Sequence, residues 1–479
     1  MFSDTAVEFP LSPCLPSLPQ PAVYDTARSL YENLYSATPD AGIRARAGKF
    51  LDASLEAVRA LPNDMPATPQ ACGAWMEAKS AHTAQRYAEY LAARQSGAPR
   101  QYFSSEAHAL YFLNEIAPTK LVDGAWLAGL VTQWEDSRFH PLIRTYLEEL
   151  GDGAPELNHV VLYRRLLDAH ACGHRDGMAD SRFVQGAIQL ALGCNADKYL
   201  PEIIGFNLGY EQLPLHLPIT AYELNELGID PYYFTLHITI DNMATGHARR
   251  ALDALQLTLP ARHRAAFFER VRNGYMLNEL GDGSESIIRD FDLEQEVIAI
   301  FKRKSVFGRH MHSDYCKLAG KSVNAWLADP GQIPAFLDQL QRGGWIRRNQ
   351  DPAASRFWRL LAGERAEMFG VFTDYEIRVI HDWIAGEWKD PQLQVPSRAL
   401  SYRARRRMEE ADTGLPAPED ADNDFNEPLR RLCADLDEAD SKRERMRMLL
   451  PYLGPASHHT PEGLLATRLF SQGLRGGAS

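Results

Sequence analysis

Residues 230–256 read DPYYFTLHITIDNMATGHARRALDALQ, and the reading of this stretch decides the fold. Its first half, YYFTLHITI (232–240), is β-branched and aromatic enough to pass for a strand. The continuation MATGHARRALDAL (243–255) is rich in Ala, Arg and Leu, which favour helix. Together they predict one long helix over 230–256. On it His237 and Asp241 stand four residues apart on one face, and His247 follows six beyond Asp241. A carboxylate between two imidazoles on an otherwise apolar helix is costly to bury without a purpose.

Outward from this segment the chain reads as helix after helix. Helical spacing predicts elements near 41–61, where Phe50, Leu51, Leu55, Val58 and Leu61 share a face ahead of Pro62, and near 70–95. Others are predicted near 105–115, 119–133, 138–150, 157–171, 180–192, 199–213, 218–227, 262–274 and 290–303. Apart from YYFTLHITI, only VVLY (160–163) hints at a strand. LGDGSES (280–286) reads as a loop. The fold class is therefore all-α.

The organisation expected is a Pro-rich extended arm over 1–22 and helices over 23–99 that pack on a core at 100–303. A further helical domain of unknown role follows at 304–395, then a charged helical segment and tail at 396–479. Arg403, Arg405, Arg406 and Arg407 in that last segment read as a solvated face. So does the run His310-Met311-His312, which could otherwise bind metal.

Composition narrows the function. The 479 residues are 45% apolar and 24% charged, with a net charge of −12, an ordinary globular make-up for two or three domains. An acidic chain without a basic stripe is a poor nucleic-acid binder. No run of 18 apolar residues predicts a membrane span, and the start of the chain does not read as a secretory signal. The six cysteines are scattered without a CxxC pair, as suits a reducing compartment. A cytoplasmic protein is expected. LAGKSVNA (318–325) lacks the upstream glycine and strand of a phosphate loop, and there is no GxGxxG after a strand, GxSxG or HExxH motif.

The remaining chemistry lies in two upstream segments. In YLEELGDGAPELNHVVLYRRLL (146–167) a helix ends at Glu148-Glu149, a Gly-containing loop follows, and a new helix opens near His159. In EIIGFNLGYEQLP (202–214) Glu202 and Glu211 lie among apolar and small residues, with Glu211 deepest. Glu202 also reads as favourable first-turn charge. Three separate helices thus each offer a His or a carboxylate, the way helical bundles build carboxylate-rich metal sites. Imidazole and carboxylate together suit iron or manganese. A ferritin-like site would need Glu-x-x-His on two helices, whereas the sole instance is Glu156–His159, with Glu156 in the loop.

With these residues in place, the sequence resembles the haem-oxygenase-like di-iron oxidases and oxygenases, also called iron-containing redox enzymes. The resemblance covers about residues 100–260, and GFNLGYEQLPLHLPITAYELNELGID (205–230) is its most specific part. It implies a haem-oxygenase-like helical bundle with an additional C-terminal helical domain, and a di-iron domain at 100–303. Its implied metal ligands are Glu149, His159, Glu211, His237, Asp241 and His247, with Glu156 the alternative to Glu149. The last His stands six residues after the Asp, whereas many members place it three after, a position occupied here by Ala244. A local bulge in the helix would bring His247 to the metal.

The resemblance further implies two irons per chain, O2 as co-substrate, and a small amine, amino acid or fatty-acid-like substrate. The reaction implied is N-oxygenation or oxidative carbon–carbon cleavage. An external electron donor and a homodimer are the partners to expect, with neither nucleic acid nor membrane. Tyr210, His216, Tyr222, Arg249 and Arg250 are near enough in sequence to meet substrate, beside ordinary packing or surface roles. A haem enzyme of the same fold would need an axial His free of opposing carboxylates. A metal-independent oxidase would not require Asp241 beside His237. A non-catalytic helical binding or scaffold protein is the reading from outside enzymology.

Overall fold

The computed structural model describes residues 26–35, 39–240, 246–362, 366–388 and 426–475. As the sequence predicts, the chain is all-α. Among the described residues the only sheet is a two-stranded turn pairing Lys317–Leu318 with Lys321–Ser322. No described helix is long and apolar enough to cross a membrane.

The helices of eight residues or more begin with α1 (Ala27–Tyr35), α2 (Ala41–Val58), α3 (Cys72–Gln95) and α4 (Glu106–Glu115). Next come α5 (His140–Glu149), α6 (His159–Ala169), α7 (Val184–Cys194) and α8 (Leu200–Tyr210). They are followed by α9 (His216–Glu226), α10 (Tyr232–Ile240), α11 (His247–Thr258) and α12 (Arg264–Met276). The rest are α13 (Leu293–Gly308), α14 (Ile333–Arg342), α15 (Asp374–Ala385), α16 (Glu427–Glu438), α17 (Lys442–Leu449) and α18 (Pro461–Arg475). Side-chain caps start several of them: Ser105 accepts from the His108 N–H, Asn158 from Val161, and Thr373 forms a reciprocal capping box with Glu376. Each satisfies an amide that the helix cannot.

Two apolar cores result. One joins α1, α2, α5, α7, α8, α11 and α12 to the C-terminal helices α16–α18 through Leu51, Trp126, Tyr146, Phe206, Leu252, Val271, Leu432 and Phe470. The other joins α4, α6, α9 and α10 to α13–α15 through Phe112, Tyr163, Ile219, Tyr233, Phe301, Phe336 and Trp383. Helices α8 and α12 approach so closely that a Cβ at Gly205 would overlap the Val271 carbonyl, and one at Gly274 would overlap the Glu202 backbone. Glycine is required at that crossing for space.

The C-terminal helices reach across the bundle to the loop after α5. Tyr146 donates to the Leu453 carbonyl (2.5 Å) and Ser471 to Asp152 (2.8 Å), while Arg475 pairs with Asp152 at 2.9 Å. Gly153 lies against the Leu464 carbonyl with no room for a Cβ.

Three predicted helices differ in detail. The span 119–133 is not one helix: a single turn over Ala117–Lys120 ends at its cap Leu121, and after Gly124, whose φ is +80°, Ala125–Gln133 continues as 3-10 helix. The left-handed glycine breaks the hydrogen-bond ladder there. The helix predicted over 199–213 stops at Tyr210, and Glu211 is its C-terminal cap.

The third difference concerns the deciding segment. YYFTLHITI is helical, as read, but 230–256 is two helices, α10 and α11. Gly246 has extended backbone (φ −86°, ψ −163°) and caps α11, so a fresh helix begins at His247. The Ala- and Arg-rich composition identified the type of structure but hid the interruption that one glycine permits.

Candidate metal centre

The centre is built where helices end and begin. Glu149 occupies the last position of α5, and the turn Gly151-Asp152-Gly153, all three with positive φ, reverses the chain. Asn158 then caps α6 so that His159 is its first residue. The ten-residue detour brings Glu149 Oε2 to 2.5 Å from His159 Nδ1, both side chains almost fully buried. Glu156, the alternative partner, is exposed.

Two further elements supply nitrogen and oxygen. From α10, His237 directs Nε2 to 3.3 Å from Asp123 Oδ2, in the break after Ala117–Lys120. From α11, His247 places Nδ1 3.1 Å from both Glu149 Oε1 and Glu211 Oε2. The result is two buried groups, each with its potential ligand atoms within 4.8 Å of one another: Asp123, Glu149, His159 and His237, then Glu149, Glu211 and His247. Glu149 belongs to both.

Five of the six residues singled out from sequence thus come together: Glu149, His159, Glu211, His237 and His247. The sixth, Asp241, lies outside the described residues. Asp123 was missed. Its signal was a lone carboxylate in the apolar run LVDGAWLAGL (121–130), which an ordinary surface loop would not bury.

Electrostatics follow from burial of so many charges. Burial raises the Asp123 carboxyl, but Lys120 and the imidazoles of His237 and His159 outweigh it and hold the group well below the usual carboxylate range. Glu149 is likewise opposed by burial, yet His159 and His247 bring it down to about 2. Both are carboxylates at neutral pH. Tyr233 donates its hydroxyl to Asp123 at 2.6 Å, and burial keeps its phenol protonated well above pH 10.

These residues fit a metal. His237 Nδ1 lies 2.8 Å from the Tyr233 carbonyl, an acceptor only, so that nitrogen carries a proton, and in its neutral, metal-binding form the ring turns its Nε2 lone pair toward the Asp123 carboxylate. A cation shared by the two resolves that opposition. Asp123 Oδ1 and His159 Nε2 are buried without any hydrogen-bond partner, which is costly unless something else binds them. Ligand atoms on one transition-metal ion stand about 3 Å apart, as His247 Nδ1 does from each of Glu149 Oε1 and Glu211 Oε2. Imidazole nitrogen and carboxylate oxygen, without thiolate, are the donors iron and manganese take.

The neighbours have defined roles. Glu148 contacts His247 Nε2 at 3.1 Å and is matched by Arg250 (2.5 Å) and Arg144 (2.9 Å). Arg249 pairs with Asp253 at the surface, Glu202 with Arg270, and Tyr222 packs on Tyr90. His216 Nε2 meets Ser284 Oγ at 3.0 Å, and burial lowers its pKa to about 3. Met311 is 79% exposed, so the run it centres stands away from the cluster. Tyr233 also lines a cleft of about 220 Å³ between α6 and α10, with Leu162, Arg165, Leu166 and Asp230. Behind the cluster, Asn158 donates to the Leu150 carbonyl and to His458 Nδ1, each at 3.1 Å.

A helical bundle burying imidazoles and carboxylates in two adjoining groups has the architecture of a helical metalloprotein. Residues 110–279 match the family model described as iron-containing redox enzyme. The matched span contains all six residues of the two groups. Residues 280–479 lie outside it. No curated protein and no solved structure matches the chain.

Proposed function

We propose that the chain is a non-haem di-iron oxidase or oxygenase. Its substrate is a small amine, amino acid or fatty-acid-like molecule that undergoes N-oxygenation or oxidative carbon–carbon cleavage. The observation that carries the reading is Glu149, whose two oxygens serve separate ligand groups: Oε2 faces His159 and Oε1 faces His247. A carboxylate so placed suits a pair of metals. Asp123, Glu149, His159 and His237 would hold one iron, and Glu149, Glu211 and His247 the other, with Asp241 the further ligand the sequence offers. Bound iron supplies the capacity to activate O2.

The chain's own residues prepare that site. The Tyr233 carbonyl fixes the His237 tautomer, the Tyr233 hydroxyl orients Asp123, and Arg144 with Arg250 keeps Glu148 charged beside His247. Trp126 and Phe206 pack on Tyr210, and Tyr163 packs on Tyr233. An external electron donor completes the proposal, since reduced iron must be restored between turnovers. The test is anaerobic loading with ferrous iron followed by metal analysis of the desalted protein. About two irons per chain, with about one left in His247→Ala, supports the reading. No specifically bound iron in the wild type overturns it.

A further inference from the structure

Lys120 is the buried charge that the metal centre does not use. It is 7% exposed, and its ammonium has one hydrogen-bond partner among the described residues, the Tyr210 hydroxyl at 3.2 Å. It lies over the rings of Tyr210 (5.3 Å) and Tyr233 (5.8 Å). Three donors therefore face one neutral acceptor and two aromatic faces. No carboxylate among the described residues stands within ion-pair distance. The nearby negative charge it influences is Asp123, which the centre commits to metal.

Charge counting shows what is missing once metal binds. Asp123, Glu149 and Glu211 contribute −3, two ferrous ions +4 and Lys120 +1, leaving +2; Asp241 would lower this to +1. Glu148 is already matched by Arg144 and Arg250. A net positive charge in a dry, tyrosine-lined site calls for an anion. Tyr233, beside Lys120, also lines the cleft between α6 and α10, so a small molecule can come within one side chain of this ammonium.

We infer that Lys120 is a specificity-determining residue that pairs with the carboxylate of the substrate, so that the enzyme acts on carboxylic acids and rejects the matching simple amines. This rests on the di-iron reading, because it is metal binding that removes Asp123 as a counter-charge.

The test uses the iron-loaded full chain under anaerobic conditions and two probe pairs that differ in the carboxylate: octanoate with octylamine, and L-leucine with 3-methylbutylamine. Calorimetric titration is expected to show one of the acids binding and its amine not. Lys120→Met should weaken that acid by about thirtyfold or more without loss of iron, and Lys120→Arg should restore part of the affinity. Lys120→Gln replaces the methionine variant if that one does not fold. Binding of neither acid, an amine bound as tightly as its acid, or acid affinity unchanged in Lys120→Met overturns the inference. Iron content is read in the same samples: a wild type without iron fails the di-iron reading, whereas full iron with indifferent acid binding fails only the role of Lys120.

Discussion

His237 and Asp123, 114 residues apart in the chain, face each other with Nε2 and Oδ2 separated by 3.3 Å. Because the Tyr233 carbonyl engages His237 Nδ1, Nε2 is the ring nitrogen left to share a cation with Asp123 in the proposed centre. Asp123→Asn keeps the shape and removes the charge. It should lower ferrous-iron affinity at that group by about a hundredfold or more while leaving helicity intact, as competition with a ferrous chelator and circular dichroism would show.

Glu149 and Glu156 provide a contrast within one loop. Glu149 touches both imidazole groups and is buried, whereas Glu156 is exposed. Glu149→Gln should reduce iron to well under one per chain, and Glu156→Gln should bind as the wild type does. Metal analysis of the two variants after identical loading decides between them.

The α8–α12 crossing can be tested by adding one methyl group. Gly205→Ala puts a Cβ into the Val271 carbonyl, and both backbones are fixed by helix hydrogen bonds. The substitution should cost about 2–3 kcal/mol, seen as a lower midpoint in urea. Gly283→Ala, where an added Cβ meets nothing, should change the midpoint little.

His458 makes stability depend on pH in the metal-free protein. Burial lowers its pKa to about 3 from an ordinary 6.5, so the native state keeps the ring neutral while the unfolded chain takes up a proton below pH 6.5. Stability from this group is complete above 6.5 and falls as pH drops toward 3, by about 1.4 kcal/mol per pH unit. Between pH 6.5 and 5 that is about 2 kcal/mol. Urea titrations at the two pH values should show that loss in the wild type and less of it in His458→Gln.

What the sequence disclosed depended on whether a residue's neighbours gave it a pattern. Glu149 and His159 were legible because a helix end, glycines and a helix start lie between them in one short segment. Glu211 was legible because it ends an apolar, glycine-bearing run. Asp123 had no partner within a turn, and its importance comes from α10, far along the chain. The break before His247 was hidden because the Ala, Arg and Leu that follow it favour helix, and one glycine suffices to restart it. Glu202 resembles Glu211 in sequence, yet Arg270 on α12 claims it.

The C-terminal helices bear on the order in which the protein is made. The turn between Glu149 and His159 is held by His458, Ser471 and Arg475, residues about three hundred positions further along. A ribosome that has finished the matched span 110–279 has therefore supplied every residue of the two ligand groups but not the parts that fix their spacing. On the proposed reading, iron offered to the nascent chain would meet an unfinished cradle, and metallation would fall after translation of the last helix.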